Sequence, residues 1–236
     1  AASAVMHLWV LEYTYLGGLR FTYTMGRFLA PYGNALQCGP LQALLASAFS
    51  LVMATCLAGG RRELFQELKP GKQRLYFTMV NMLEASLLAL TYTNDVFTGY
   101  VFIEISTIAA CSLVMAKDSG PNLVAAIRYL FMSLMGSGMF LIGLTMLNSV
   151  TGHLLMPALA EAVAELRLSG DYRIPLTVAV GLMVAGLGVK SAMFPFHLWL
   201  PDAHSGAATA SSAILSGLVL KGYIVLLLVL ILRVFS

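Results

Sequence analysis

The sequence predicts an all-α, polytopic integral membrane bundle with one broken helix and a short surface β-hairpin. Three observations predict it. The 236 residues are 59% apolar and only 11% charged, where soluble domains carry about a quarter charged residues. Six apolar runs, at 40–59, 75–94, 96–116, 123–148, 174–198 and 209–233, each reach the roughly 20 residues that cross a bilayer as a helix. An aromatic and Thr-rich stretch with Gly-Gly and Pro-Tyr-Gly-Asn turn signals precedes them.

In chain order, residues 1–15 are apolar but too short to span alone, and are expected to be the second part of a transmembrane helix. The charged start and cleavage site of a secretory signal are absent from them. Residues 16–39 are expected to form the surface hairpin, and 40–236 a six-helix transmembrane bundle. The break at 60–74 carries five Lys/Arg against two Glu, so the positive-inside bias sets it in the cytoplasm. Alternation then sends the 93–95 turn and the 149–173 loop outward, and 117–122 and 199–208 inward. Within 149–173, PALAEAVAELRLSGDYR has one Ala/Leu face and one charged face, which predicts a short interfacial helix.

Composition also excludes. A net charge of +3, from 14 Lys+Arg and 11 Asp+Glu, is no field for holding nucleic acid. Cys38, Cys56 and Cys111 have no CxxC spacing, so neither a metal, an iron–sulfur cluster nor a disulfide framework is suggested. No cofactor is expected. Gly136-Ser-Gly138 lies inside an apolar run and predicts close helix packing, not a nucleotide loop.

The candidate site is read from charges placed where lipid belongs. Each costs about 2.5–3.5 kcal/mol to insert at mid-bilayer, so membrane proteins keep them where they pair or line a wet pathway. Glu104 and Lys221 lie near the middle of their spans, Lys190 deep in the fifth, and Glu84 halfway along the second. Arg128 is near enough to the end of its span to reach the interface, and is a candidate partner for Glu84 or Glu104. Pro195 removes a helical bond to Ser191 and clashes there, so the fifth helix is expected to break within 190–197, beside Lys190. Lysine side chains lean over the residue four earlier. Lys190 therefore overhangs Gly186, and Lys221 overhangs Gly217, each a gap or a packing contact. His197 and His204 flank Asp202 in the inward loop, as proton carriers or as helix caps.

DVFTGYVFIEIS at 95–106, GVKSAMFPFHLWLPDAHSGA at 188–207 and SSAILSGLVLKGY at 211–223 together resemble the proton-translocating antiporter-like subunits of respiratory complex I, of membrane-bound hydrogenases and of Mrp-type cation/proton antiporters. The resemblance implies two inverted repeats of helices, of which this sequence covers roughly the first, and a Glu104, Lys190, Lys221 charge relay. It further implies H+ or Na+ translocation across a bacterial or archaeal inner membrane beside other subunits of an oxidoreductase or antiporter complex, with no redox centre here. Two departures stand out, Ala207-Ala208 where the family opens a helix with proline and Glu84 where a small residue is expected, while Arg128 sits where the family often has a basic residue. The alternative is a non-transporting scaffold that anchors a peripheral oxidoreductase, its charges serving as structural ion pairs. A quinone-binding subunit lacks a cavity signal to support it.

Along their helices, Glu104 is about eight residues in and Lys190 about sixteen, an offset of about 12 Å at 1.5 Å per residue. The two meet only if the fifth helix starts further out.

Overall fold

The computed structural model describes residues 2–25, 35–117 and 119–235. Over these residues the chain is helical apart from one two-stranded antiparallel hairpin. Helix α1 (Ala2–Gly17) leads into β1 (Phe21–Thr24), whose aromatic and Thr residues suit a pleated, half-exposed surface. Strand β2 (Ala35–Cys38) pairs with it, Phe21 against Cys38 and Thr24 against Ala35. The tip of the expected hairpin, 26–34, lies outside the described residues. Leu36 bridges to Thr93, and the Asn94 N–H donates to the Ala35 carbonyl, so the hairpin sits at the end of the bundle that holds the 93–95 turn.

Six helices among the described residues are long and apolar enough to cross a membrane. They are α2 (Pro40–Gly59), α4 (Pro70–Tyr92), α5 (Val96–Val114), α6 (Gly120–Thr151), α8 (Arg173–Lys190), and the continuous run Thr209–Arg233. Local chemistry sets their ends. Prolines open the first turns of α2, α4 and α6, where a missing N–H is harmless. The Asp95 carboxylate caps α5 by accepting the Thr98 N–H at 2.6 Å, and the Ser119 hydroxyl caps α6 at Asn122. Gly152, at φ 73°, closes α6 in the left-handed cap that glycine alone adopts without strain.

Several boundaries differ from hydropathy. Helix α4 begins at Pro70, five residues before the expected 75, because Lys72 and Arg74 in its first turns lower the apolar score without opposing helix. Helix α6 is longer at both ends, at 32 residues. The polar breaks also carry short helices. In the 60–74 break, α3 (Arg61–Glu67) is pinned by buried Leu64, with its charges exposed. In the 149–173 loop, α7 (Met156–Ser169) buries Met156, Leu159 and Val163, the expected amphipathic spacing.

The fifth span is the broken one. Helix α8 ends at Lys190, eight residues before the expected 198. Ser191 and Ala192 form a turn, Ala192 at φ 53°, and a 3₁₀ turn (Phe196–Trp199) and α9 (Leu200–Gly206) follow. The helix therefore stops ahead of the clash that Pro195 would create. The last span holds a second irregularity. Between α10 (Thr209–Ile214) and α11 (Leu220–Arg233), residues Leu215–Val219 are π-helical.

Helices α6 and α8 pack backbone to backbone. A Cβ at Gly186 would lie 2.5 Å from the Gly136 carbonyl oxygen and 2.7 Å from the Phe140 nitrogen, and one at Gly143 2.6 Å from the Ala179 carbonyl oxygen. Small residues at this seam let the helices approach without side chains between them. Gly136 thus packs as expected, whereas Gly138 faces open space. The gap expected under Lys190 at Gly186 is filled by α6 backbone, and Gly217 likewise meets the Val52 side chain at 3.2 Å from a Cβ position.

Candidate functional site: a buried lysine held by a glutamate

Three helices build the site. On α5, Glu104 and Thr107 are one turn apart and share a face. On α6, Ser133 and Ser137 do the same at four-residue spacing. Helix α8 delivers Lys190 from its last turn. The Lys190 residue is only 2% exposed. Its Nζ donates to Thr107 Oγ1 at 2.7 Å and Ser133 Oγ at 3.0 Å, and lies 3.4 Å from Glu104 Oε1. These three acceptors match the three protons of an ammonium. The Ser137 hydroxyl donates to the same Glu104 Oε1.

The hydroxyls are themselves oriented. Thr107 donates back to the Ile103 carbonyl at 2.9 Å, which leaves its lone pairs to the ammonium. The Tyr223 ring, from α11, presents its face to Nζ with the centroid 5.6 Å away, a cation–π contact. Its hydroxyl meets Ser106 Oγ at 3.0 Å. The buried Lys190 ammonium is thereby hydrogen-bonded and paired with a glutamate whose side chain is 25% exposed, and a buried charge without such partners is strongly unfavourable.

The axial offset between Glu104 and Lys190 is closed by the helix ends and by the lysine itself. With α6 as a ruler, Glu104 is level with Ser137 and Gly143 with the stretch between Ala179 and Met183. Counting outward at 1.5 Å per residue, α8 starts about 9 Å further toward the hairpin end than α5 does. The lysine stem runs back past Gly136, its Cγ 3.2 Å from a Cβ position there, and covers the rest.

Other sequence-selected residues lie elsewhere. Lys221 is exposed on the outside of the described helices, so of the three relay residues only Glu104 and Lys190 face one interior. Tyr223, buried and about 200° round the helix from Lys221, occupies the inward position instead. Arg128 pairs with Asp202, Nη1 to Oδ2 at 2.5 Å, with side chains 64% and 45% exposed. It therefore balances neither Glu84 nor Glu104. Glu84 is half-buried on α4, two turns from Tyr92, whose hydroxyl bonds His7 Nδ1 at 3.1 Å. His197 is exposed and stacks on Phe194, next to Pro195, while His204 Nδ1 bonds Ser212 Oγ at 2.7 Å. The two histidines thus have separate partners, and neither bonds Asp202. Residues that sequence reasoning passed over, Thr107, Ser133, Ser137 and Tyr223, carry one available signal: hydroxyls recurring at helical spacing inside apolar spans.

Residues 93–236, which hold this whole site, match the family described as "NADH:quinone oxidoreductase/Mrp antiporter, TM". The chain belongs to that family. Among relatives, it is 34% identical to NADH-quinone oxidoreductase subunit N of Desulforudis audaxviator over 198 residues, covering 83% of this chain and 38% of the relative. It is 30% identical to an Na(+)/H(+) antiporter subunit of Bacillus subtilis over 203 residues, 85% of this chain and 39% of that one. The chain therefore spans about two fifths of the length of these curated relatives. Its fold is similar to a chain of the Mrp complex from Dietzia sp. DQ12-45-1b, with TM-score 0.86 and 21% identity over 99% of this chain and 42% of that one. It is also similar to a chain of the membrane-bound sulfane sulfur reductase, an archaeal respiratory membrane complex, with TM-score 0.78 and 25% identity over 96% and 45% of the two.

Proposed function

We propose that this chain is the ion-translocating part of a membrane subunit in a multisubunit antiporter or oxidoreductase complex of a prokaryotic inner membrane, moving H+ or Na+. One observation carries the reading: the side-chain nitrogen of a lysine buried in the bundle lies 3.4 Å from the carboxylate of a glutamate on a neighbouring helix. While Glu104 stays, the ammonium is paired and hydrogen-bonded. When Glu104 is drawn away, the charge is left buried and uncompensated, and giving up the proton relieves that penalty. Lys221, exposed on the face of α11 opposite Tyr223, passes charge on to whatever packs against that face. With the 60–74 end on the cytoplasmic side, the Arg128–Asp202 pair, His197 and His204 lie at the same end of the bundle as the broken helix at Pro195. The drive comes from redox chemistry or a second ion gradient elsewhere in the complex.

The test is ion flux through the complete complex reconstituted in vesicles. Lys190→Met and Glu104→Gln are each expected to abolish flux while leaving assembly intact. A complex that assembles and transports normally with Lys190→Met is a scaffold in this region, and the reading fails.

A further inference from the structure

One buried polar group beside the site is not used by it. Tyr129 is 1% exposed, and its hydroxyl has no hydrogen-bond partner. It lies beside the hydroxyls of Tyr223 and Ser133 without meeting hydrogen-bond geometry to either. Leaving a buried hydroxyl unpaired costs about 1–3 kcal/mol, a cost that phenylalanine of the same shape avoids.

Its position on α6 gives the orphan group a meaning. Tyr129, Ser133 and Ser137 recur every four residues and are all buried, so they form one file of hydroxyls along the helix. Ser137 holds the Glu104 carboxylate and Ser133 holds the Lys190 ammonium. Tyr129 is the next rung, about 6 Å further from Glu104. Its ring is fixed by Trp199, with centroids 4.9 Å apart, and the Trp199 indole N–H in turn caps the Val189 carbonyl at the broken end of α8. The hydroxyl is therefore held in place one rung from Ser133, which accepts from the Lys190 ammonium, and that ammonium rides on a flexible four-carbon stem.

We propose that Tyr129 is the second station of the Lys190 ammonium. Resting on the charge-switch reading above, the lysine turns away from Glu104 when that carboxylate withdraws, and Nζ donates to the Tyr129 hydroxyl oxygen. The Tyr129 hydroxyl proton then points away from the ammonium, on the side of Tyr223, whose own hydroxyl lies 3.0 Å from Ser106 Oγ, while Ser106 donates to the Ile103 carbonyl at 2.7 Å. Tyr129 is a positioning residue. It gives the ammonium a defined place on the side of the bundle away from Glu104, so the pair opens to a second state.

Two measurements on the complete complex test this. In a structure of the Glu104→Gln complex, Lys190 Nζ is expected within about 3 Å of the Tyr129 oxygen. In vesicles, Tyr129→Phe is expected to keep or raise the melting temperature and to lower flux by about ten- to a hundredfold, the worth of one hydrogen bond to a charged group. Lys190 remaining on Thr107 and Ser133 in Glu104→Gln, or normal flux in Tyr129→Phe beside an inactive Lys190→Met, overturns the station while leaving the charge-switch reading standing. Normal flux in Lys190→Met removes both.

Discussion

At Gly186 a methyl group has nowhere to go. The nearest atoms to an added Cβ belong to the α6 backbone, which cannot rotate aside as a side chain does. Gly186→Ala is therefore expected to destabilise the fold by about 1–3 kcal/mol, the usual scale of overpacking, and to disturb the register that brings Lys190 to Ser133. Gly138, two residues from Gly136 and facing open space, is the control. Gly138→Ala is expected to be neutral or to stabilise by up to about 1 kcal/mol, since alanine loses less backbone entropy in a helix. Thermal melting of the two variants in detergent separates the effects. Opposite ranking would mean that the α6–α8 seam is not a tight backbone contact. Gly136 and Gly138 show what residue-level reading misses: both look alike in Gly-Ser-Gly, and only the partner helix tells them apart.

At the scale of the element, ends matter more than middles. Asp95 begins α5, the helix that carries Glu104, and its carboxylate is the cap. Asp95→Ala is expected to cost about 1 kcal/mol, and Asp95→Asn, which keeps a capping oxygen, a few tenths. A loss of equal size in both would show that the charge, rather than the cap, is at work. The α9–α10 corner is pH-sensitive. Burial pushes His204, bonded to Ser212, below its ordinary value near 6.5. The fold thus prefers the neutral imidazole, so this contact contributes stability above the unfolded value, lost as pH falls through the lowered folded one. On going from about pH 7 to about pH 5, wild type is expected to lose more melting temperature than His204→Gln, and equal losses would exclude this histidine as the cause. In the last span, the π-helical turn at Leu215–Val219 inserts one extra residue, which turns the following residues by about 100° relative to an unbroken α-helix.

At the scale of the molecule, the hairpin, the 93–95 turn and α7 share one end, and α3 and α9 share the other. Taken with the basic 60–74 break, the α3 end is expected on the cytoplasmic side. In a variant whose three cysteines are replaced, a membrane-impermeant thiol reagent is expected to reach Gln66→Cys only from the cytoplasmic side and Ser169→Cys only from the other. Labelling of both from one side would overturn the topology. Much of this is legible in the amino-acid order. Hydropathy alone locates six spans, because a backbone in lipid must satisfy its own hydrogen bonds and each crossing needs its full apolar length. Basic residues in one break order the loops. Glu104 and Lys190 stand out as site residues because buried charge is too costly to occur by accident, and Pro195 marks where the fifth helix breaks. What the order of residues does not contain is direction around each helix and height along its neighbour. Those follow from how α6 and α8 close on Gly136, Gly143 and Gly186, and they decide that Lys190 reaches Glu104 across the offset. They decide too that Arg128 is committed to Asp202, that Lys221 faces outward, and that a file of hydroxyls on α6 carries the charges. Spacing along one chain sets the face of each helix. Only packing between chain segments distant in sequence sets which faces meet, because shape complementarity between helices, rather than any single residue's preference, fixes their register.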